Sequence, residues 1–444
     1  MMINNVDQID WSKITNVQWR AESCDEGTIL FYKFNNHSLE EKKIFLERIE
    51  KQNYYCCITN YKNFDLDKGV RLSLEDFYLI QEESLNRLYP TEFLDKKIML
   101  GVTGTNGKTT TVDLIRQISI QNKKNIMTVG TLGVYLNNQK IRDFHLTTPS
   151  YIDLRKTLYE LKNDFEIFAM ELSSIALEQN RLGSIRFDKI AWTNFTQDHL
   201  DYHHTMTEYF NAKLKGYEYL RKEKVIYIPA SQSDLIHKIK TDHEVVEVKI
   251  NSDDKYKNPF LKVEYNRENL ALAEILLSHL KSLKLEEEMI TPPPGRFNIV
   301  QYKNSYIVVD SAHTPDALKA ICNEIKNTFK EYNLITIFGC GGDRDKAKRP
   351  LMAEVVSRYS DFTILTSDNP RYEDPKSILA DAKKGLVKKF EIIEDRVEAI
   401  KYGIDISDKT ILLIAGKGHE NYLDIMGVKH PYNDMETVLR LIND

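Results

Sequence analysis

Gly104-Thr105-Asn106-Gly107-Lys108-Thr109-Thr110 is the segment whose residue types and spacing point most directly to chemistry. Its glycines let backbone N–H groups approach an anion, and a helix opening behind them favours negative charge. Lys108 reaches terminal phosphates, and Thr109 offers a hydroxyl to a magnesium ion. The expected ligand is a nucleoside triphosphate. The segment departs from the commoner G-x-x-x-x-G-K-[ST] form, because Val102 stands where the first glycine would be.

A second polar cluster runs from Thr193 to His204, with His199 and His203 at helical i, i+4 spacing. The metalloprotease form of that pair needs Glu after the first His, and Leu200 is there instead, so zinc is not expected. Glu171, in MELSS, could supply a carboxylate beside the nucleotide for a hard cation; read alone it could equally be a strand-end residue. Lys213, in YFNAK, reads on its own as a solvated helix lysine.

The elements that must position these groups follow from apolar patterning. KKIMLGVTG is a strand running into the glycine-containing loop, followed by a helix with Val112, Ile115 and Ile118 on one face. Glu166 to Leu172, Asp188 to Asn194 and Lys224 to Ile228 read as further buried strands of a parallel sheet. Upstream, Thr28 to Tyr32 and Tyr54 to Thr59 are strand-like runs of a small α/β domain. Downstream of Pro292-Pro293-Pro294, the best linker candidate, four apolar strands empty into polar or Gly-containing loops: SYIVVDSAH, NLITIFGCGGD, DFTILTSDN and KTILLIAGKGH. Ligands of open α/β sheets bind at such strand ends. The expectation is an α/β protein of three domains, over 1–94, 95–293 and 294–444.

Composition narrows the function classes. The 444 residues carry 61 Lys+Arg against 66 Asp+Glu, a net charge of −5 without long single-sign runs, so no nucleic-acid partner is expected. With 42% hydrophobic and 29% charged residues the chain can bury a core and stay soluble. No apolar stretch approaches membrane-spanning length. MMINNVDQIDWSK carries aspartates where a signal peptide would be basic and then apolar, so a cytoplasmic, membrane-free protein is expected. Five irregularly spaced cysteines form no disulfide framework and no C-x-x-C pair, which fits a reducing compartment.

Taken together, the blocks GVTGTNGKTTT, TVGTLG, TTP, MELSS, TNFTQDHLDYHHTMTEYFNAK, YNRENLALA, PGRF, VVDSAHTPDAL, FGCGGDRDKAKRPLM, TSDNPRYEDP and AGKGHENY resemble, in order and spacing, the Mur ligase family of peptidoglycan synthesis. The match runs from about Ile98 to Asp434. Within the family it comes nearest to the enzymes that add meso-diaminopimelate to UDP-N-acetylmuramoyl-L-alanyl-D-glutamate. The resemblance implies a UDP-binding N-terminal domain, a central ATPase domain and a C-terminal Rossmann-like domain that brings the amino acid, in a monomeric ligase.

Residue by residue, it implies that Gly104 to Thr110 hold ATP, with Lys108 and Thr109 on phosphates and Mg²⁺. Glu171, His199 and Lys213 would serve a second Mg²⁺, Lys213 being carbamylated by CO₂ in this family. Asn269, three residues after Asn266, would meet the adenine; Arg296, Asp310 and His313 would meet the nucleotide from the C-terminal side. Thr147, Thr148, Ser173 and Arg181 would contact the muramoyl-peptide. Arg344, Asp368, Asn369, Arg371, Gly416 and Glu420 would grip the far end of diaminopimelate. There Arg371 would take the carboxylate and Glu420 the ammonium.

The sequence also departs from the family. S-S-H-A-L appears as Ser173-Ser174-Ile175-Ala176-Leu177, losing a histidine, and D-Y-A-H-T-P appears as Asp310-Ser311-Ala312-His313-Thr314-Pro315, losing an aromatic. D-S-R corresponds to Glu22-Ser23-Cys24, which would put Ser23 at the UDP end, and no D-G-H-x-F segment follows. A paralogue extending another carboxylate is therefore the alternative reading. A nucleotide switch is disfavoured because no N-K-x-D follows the phosphate loop. A dinucleotide oxidoreductase is disfavoured because the third glycine of its motif would fall at Arg344.

Overall fold

The apolar runs form three separate sheets in a computed structural model that describes residues 5–34, 39–61, 68–144, 146–251, 256–280 and 282–443. The first four residues, part of the stretch read as lacking a signal peptide, lie outside the described residues. The N-terminal sheet is parallel, in the order β1 (Asn16–Gln18), β2 (Thr28–Tyr32), β3 (Cys56–Thr59), β4 (Gly69–Arg71). Its side chains alternate between two covered faces. Ile29 and Phe31 join the core shared with helix Leu74–Leu88, where Phe31 meets Phe77 edge-on, and Leu30 packs with Phe45 and Ile49 of helix Leu39–Ile49.

The central sheet comprises β5 (Ile98–Thr103), β6 (Ile126–Gly130), β7 (Gly133–Leu136), β8 (Gln139–Arg142), β9 (Ile167–Glu171), β10 (Lys189–Trp192), β11 (Val225–Pro229) and β12 (Glu244–Val248). Their spatial order is β12-β11-β10-β5-β9-β6-β7-β8, parallel except for β7 and β8. The phosphate-loop strand β5 is thus central: the chain runs from it to β6 on one side and later crosses from β9 to β10 on the other, which opens a crevice at its carboxyl end. Helix Lys108–Gln121 buries Val112, Ile115 and Ile118 against this sheet.

The third sheet, after Pro292–Pro294, has β13 (Asn298–Tyr302), β14 (Ser305–Asp310), β15 (Asn333–Cys340), β16 (Phe362–Ser367), β17 (Phe390–Ile392) and β18 (Thr410–Ala415) in the order β13-β14-β18-β15-β16-β17. Only β13 is antiparallel. A hairpin of β19 (Tyr422–Ile425) and β20 (Val428–Pro431) follows. One apolar cluster runs continuously from Leu270 and Ala273 of the central domain to Val308 and Leu318 beyond the linker. Among the described residues no helix is long and apolar enough to cross a membrane.

The N-terminal sheet is pinned to the central one by a polar hub. Arg155, fully buried, donates to Glu82 Oε1 at 2.8 Å, Asn86 Oδ1 at 2.8 Å and the Tyr89 carbonyl at 2.7 Å, all on or just past helix Leu74–Leu88. Ser184 and the Tyr151 hydroxyl also donate to Glu82. Removing one member of a buried ion pair strands the other, whereas the remaining carbonyl partners soften the loss here. Glu82→Ala is expected to lower stability by about 2 kcal/mol, read as a fall in denaturation midpoint at unchanged denaturant slope; an unchanged midpoint would show that the hub is dispensable.

Candidate functional site

The phosphate loop leaves β5 with two backbone conformations that side chains resist. Gly104 has φ +141° and Gly107 φ +84°, and a Cβ at Gly107 would stand 2.5 Å from Asn269 Oδ1. Lys108 Nζ donates to the carbonyls of Gly104 at 3.0 Å and Thr105 at 2.9 Å, curled back over its own loop. The Asn106 N–H donates to Asn194 Oδ1 at 2.9 Å, which ties the loop to the end of β10. Thr110 is buried behind it.

Lys213 is not a solvated helix lysine. It is 1% exposed, and Nζ donates at 2.7 Å to the same Gly104 carbonyl that Lys108 uses. Helix Met206–Leu214 delivers it, started by a capping box between Thr205 and Glu208. Tyr209 lies beneath the amine, 4.7 Å from ring centre to Nζ, and its hydroxyl meets Thr105 Oγ1 at 3.2 Å. Burial, reinforced by Lys108, pushes the Lys213 pKa well down, and burial also lowers that of Lys108.

Glu171 ends β9 directly beside β5, its Cα in register with Val102. It is 1% exposed and accepts hydrogen bonds from Thr109 Oγ1 at 3.0 Å, Thr131 N at 2.8 Å and Thr131 Oγ1 at 3.2 Å. The contact with Thr109 joins two oxygen donors of the kind a hard cation takes, so this pair fits Mg²⁺. The same network continues outward. Thr147 Oγ1 lies 3.3 Å from Thr131 Oγ1, and Thr148 Oγ1 donates to the Glu171 carbonyl at 2.8 Å. Ser173 N donates to Thr148 Oγ1 at 3.0 Å, and Arg181 Nη1 to the Thr148 carbonyl at 3.1 Å.

The two histidines do not converge. His199, in a left-handed conformation at φ +52°, keeps 46% of its side chain exposed and has Nε2 3.4 Å from Asp198. Burial, with Lys108 and Lys213 nearby, lowers its pKa against the pull of Asp198. His203 is buried, with Nε2 2.9 Å from Ser174 Oγ and Nδ1 3.1 Å from Glu178. Among the described residues no three His, Cys, Asp or Glu side chains are grouped for a metal ion.

The remaining nucleotide-side residues stand at the seam with the third sheet. Asn269 is buried and accepts from Thr111 Oγ1 at 3.1 Å, supporting the loop from below, while Asn266 donates to the Phe260 carbonyl at 3.0 Å. Arg296 donates to Ser311 Oγ and is close enough to Lys108 to depress its pKa. Asp310 accepts from the N–H groups of Phe297 and Ala312, both at 2.8 Å, and burial raises its pKa. His313 is exposed, its Nδ1 2.6 Å from the Ser311 carbonyl.

A second polar cluster occupies the ends of β16 and β18. Lys417, fully buried, donates to Asn369 Oδ1 at 3.0 Å, Glu420 Oε2 at 3.1 Å and Asp368 Oδ1 at 3.4 Å. Asn369 Nδ2 also donates to Glu420 Oε2, at 2.8 Å. Gly416 backs onto Asp368: a Cβ there would lie 3.0 Å from Oδ2. Arg371 donates to the Gly342 carbonyl at 2.6 Å, and a Cβ at Gly341 would lie 2.9 Å from its Nη1 and 3.7 Å from Arg344 Cγ, so both arginines border one glycine turn. Arg396, paired with Asp434 in full burial, donates to the Ala415 carbonyl and holds the end of β18.

Sequence reasoning named the residues of both clusters but missed Thr131, Asn194 and Lys417. Each stands inside a block that had been recognised, so the block was the available signal. Ser23 is exposed.

A phosphate loop set against a buried carboxylate, followed by a Rossmann-like sheet with its own polar cluster, defines a nucleotide-dependent acid–amino-acid ligase. The Mur ligase middle domain family matches residues 102–306, and the Mur ligase glutamate ligase domain family matches residues 295–418. UDP-N-acetylmuramoyl-L-alanyl-D-glutamate–2,6-diaminopimelate ligase from Rickettsia typhi is 32% identical, over 97% of this chain and 94% of that protein. A solved structure of a ligase of the same name superposes with a TM-score of 0.63 at 27% identity, covering 97% and 95% of the two chains. The MurF ligase of Thermotoga maritima, solved with ADP, shares the fold at a TM-score of 0.60 and 15% identity, over 98% of both chains. The chain belongs to the Mur ligase family.

Proposed function

We propose that this protein is an ATP-dependent amide ligase that adds meso-diaminopimelate to UDP-N-acetylmuramoyl-L-alanyl-D-glutamate in peptidoglycan precursor synthesis. The observation that carries this reading is the contact of Thr109 with Glu171, continuous with Thr131, Thr147, Thr148, Ser173 and Arg181. It joins the phosphate loop to the residues expected at the acceptor. A substrate carboxylate held by Thr147, Thr148, Ser173 and Arg181 would face the γ-phosphate held by the loop; its attack on phosphorus would release ADP and give an acyl phosphate, whose carbonyl carbon the incoming amine would attack, losing a proton as phosphate leaves.

Positioning and charge neutralisation carry such a transfer, and no side-chain nucleophile is needed. Lys108 would leave its own loop carbonyls for the phosphates. Arg296, Asp310 and His313 would close on the nucleotide from the third domain, and Asn269 would keep the loop in place beside the adenine. Thr109 would hold one Mg²⁺ with the ATP phosphates, and Glu171, His199 and a carbamylated Lys213 a second; these ions offset phosphate charge when bound. The domains are 1–94 for the UDP end, 95–293 for ATP and 294–444 for the amino acid, in a cytoplasmic monomer.

The test is ADP release with UDP-N-acetylmuramoyl-L-alanyl-D-glutamate and a panel of amino acids. The expected result is turnover that depends on meso-diaminopimelate; preference for L-lysine at equal concentration would overturn the amino-acid assignment. Equal use of a muramoyl-dipeptide without UDP would favour the paralogue reading, in which the divergent N-terminal domain has lost that end. A charged hydrogen bond from the Arg371 fork to the far carboxylate is worth about 1.5–3 kcal/mol. Arg371→Ala should therefore raise KM for diaminopimelate about ten- to a hundredfold and leave KM for ATP unchanged. A matching rise in both would point to domain damage instead.

A further inference from the structure

We infer that Asp424 is a further specificity residue, the acceptor for the far ammonium group of the amino-acid substrate; this rests on the reading of the third domain as the diaminopimelate-binding one. The expected reader of that ammonium, Glu420, has Oε2 already engaged by Lys417 and Asn369. Lys417 itself is divided among Asp368, Asn369 and Glu420. The resident cation thus takes up the acceptors that a substrate ammonium was expected to use.

Asp424 is placed to supply another. Its backbone N–H donates to Asn369 Oδ1 at 2.8 Å, and its carbonyl accepts from the Arg371 N–H at 3.0 Å, so β19 is stitched to the loop that carries Asn369 and Arg371. Side chains two apart on a strand share a face. Tyr422, two residues earlier, has its ring 5.7 Å from Lys417 Nζ and 4.3 Å from Nζ of Lys429, the residue paired with Asp424 on β20, so Asp424 shares a face with both lysines. Its Oδ1 is buried with no hydrogen-bond partner among the described residues. A buried acceptor without a donor is costly, and an incoming donor would satisfy this one. The class of that group follows from the charge: a carboxylate oxygen takes a donor, Lys417 is committed to three other acceptors, and the cross-strand Lys429 makes no hydrogen bond to this oxygen among the described residues, so an incoming alkylammonium fits. Arg371 and Arg344, at the glycine turn across the loop, take the carboxylate of the same substrate head.

The experiment compares wild type and Asp424→Asn with meso-diaminopimelate and with L-2-aminopimelate, which keeps the far carboxylate and lacks the far amino group. Asp424→Asn is expected to raise KM for diaminopimelate about ten- to a hundredfold and to leave KM for 2-aminopimelate and for ATP within about threefold. An unchanged KM for diaminopimelate, or an equal loss with both amino acids, would overturn the inference. A wild-type enzyme that releases no ADP with diaminopimelate would instead overturn the functional reading beneath it.

Discussion

Lys213→Ala is expected to lower the ligation rate by about a hundred- to a thousandfold, the cost of losing one preorganised charged group at a phosphoryl-transfer site. The fold should survive, because the substitution removes a buried amine whose one hydrogen bond is to the Gly104 carbonyl and leaves the tight packing of Tyr209 and Phe210 in place. The reason lies in what a lysine can become there. An ammonium beside Lys108 and the Gly104 carbonyl offers no ligand to a hard cation, whereas the burial that depresses the Lys213 pKa favours the neutral amine. That amine could attack CO₂ at carbon: an N–C bond would form, the nitrogen would lose a proton, and a carbamate with two oxygen donors would result. Wild-type activity should fall when CO₂ is stripped and return with bicarbonate, while Lys213→Ala and Lys213→Arg should be inactive and indifferent to bicarbonate. Wild-type turnover by Lys213→Ala would sink the carbamate.

Glu171→Gln should cost about as much, a hundred- to a thousandfold in kcat, although the two side chains are nearly the same shape. Glu171 accepts three hydrogen bonds from Thr109 and Thr131 with its two oxygens. An amide in that place can accept from the Thr131 N–H with its oxygen and turn its N–H₂ to the two hydroxyls, which accept as well as donate, so the packing is kept and what the site loses is a charged oxygen ligand. Thr131→Val is the companion measurement: it keeps the backbone donor, removes the hydroxyl donor, and should cost about tenfold. Comparable single-turnover rates for wild type and Glu171→Gln at saturating ATP and Mg²⁺ would show that the carboxylate is structural only.

Much of this protein was legible in its sequence, and the legible parts are local. The phosphate loop, the strand before it and the helix after it are a contiguous pattern of glycine, apolar period and lysine, and β9, β10 and β11 were visible as short apolar runs within a residue or two of their ends. Four of the six strands of the third sheet, β14, β15, β16 and β18, showed for the same reason, and the edge strands β13 and β17 did not. Each of those four empties into a polar loop, and the alternation of buried strand and polar loop is a short-range signal.

Tertiary structure decided the state of the side chains that the sequence could only name. Lys213 reads as solvated because lysines are mostly exposed; it is buried because Tyr209 of its own helix, together with Thr105 and the Gly104 carbonyl from a segment about a hundred residues earlier, closes over it. Whether Glu171 is a strand-end residue or part of the site depends on β9 lying beside β5, which sets it against Thr109 and Thr131. The assembly of Lys417, Asp368, Asn369 and Glu420 likewise requires β16 and β18 to end on the same side of one sheet. Composition and period specify which face of an element is covered, since burial of apolar area is non-directional. Which polar groups then share a hydrogen bond is set by strand order and register, and those are determined only when the whole sheet has formed.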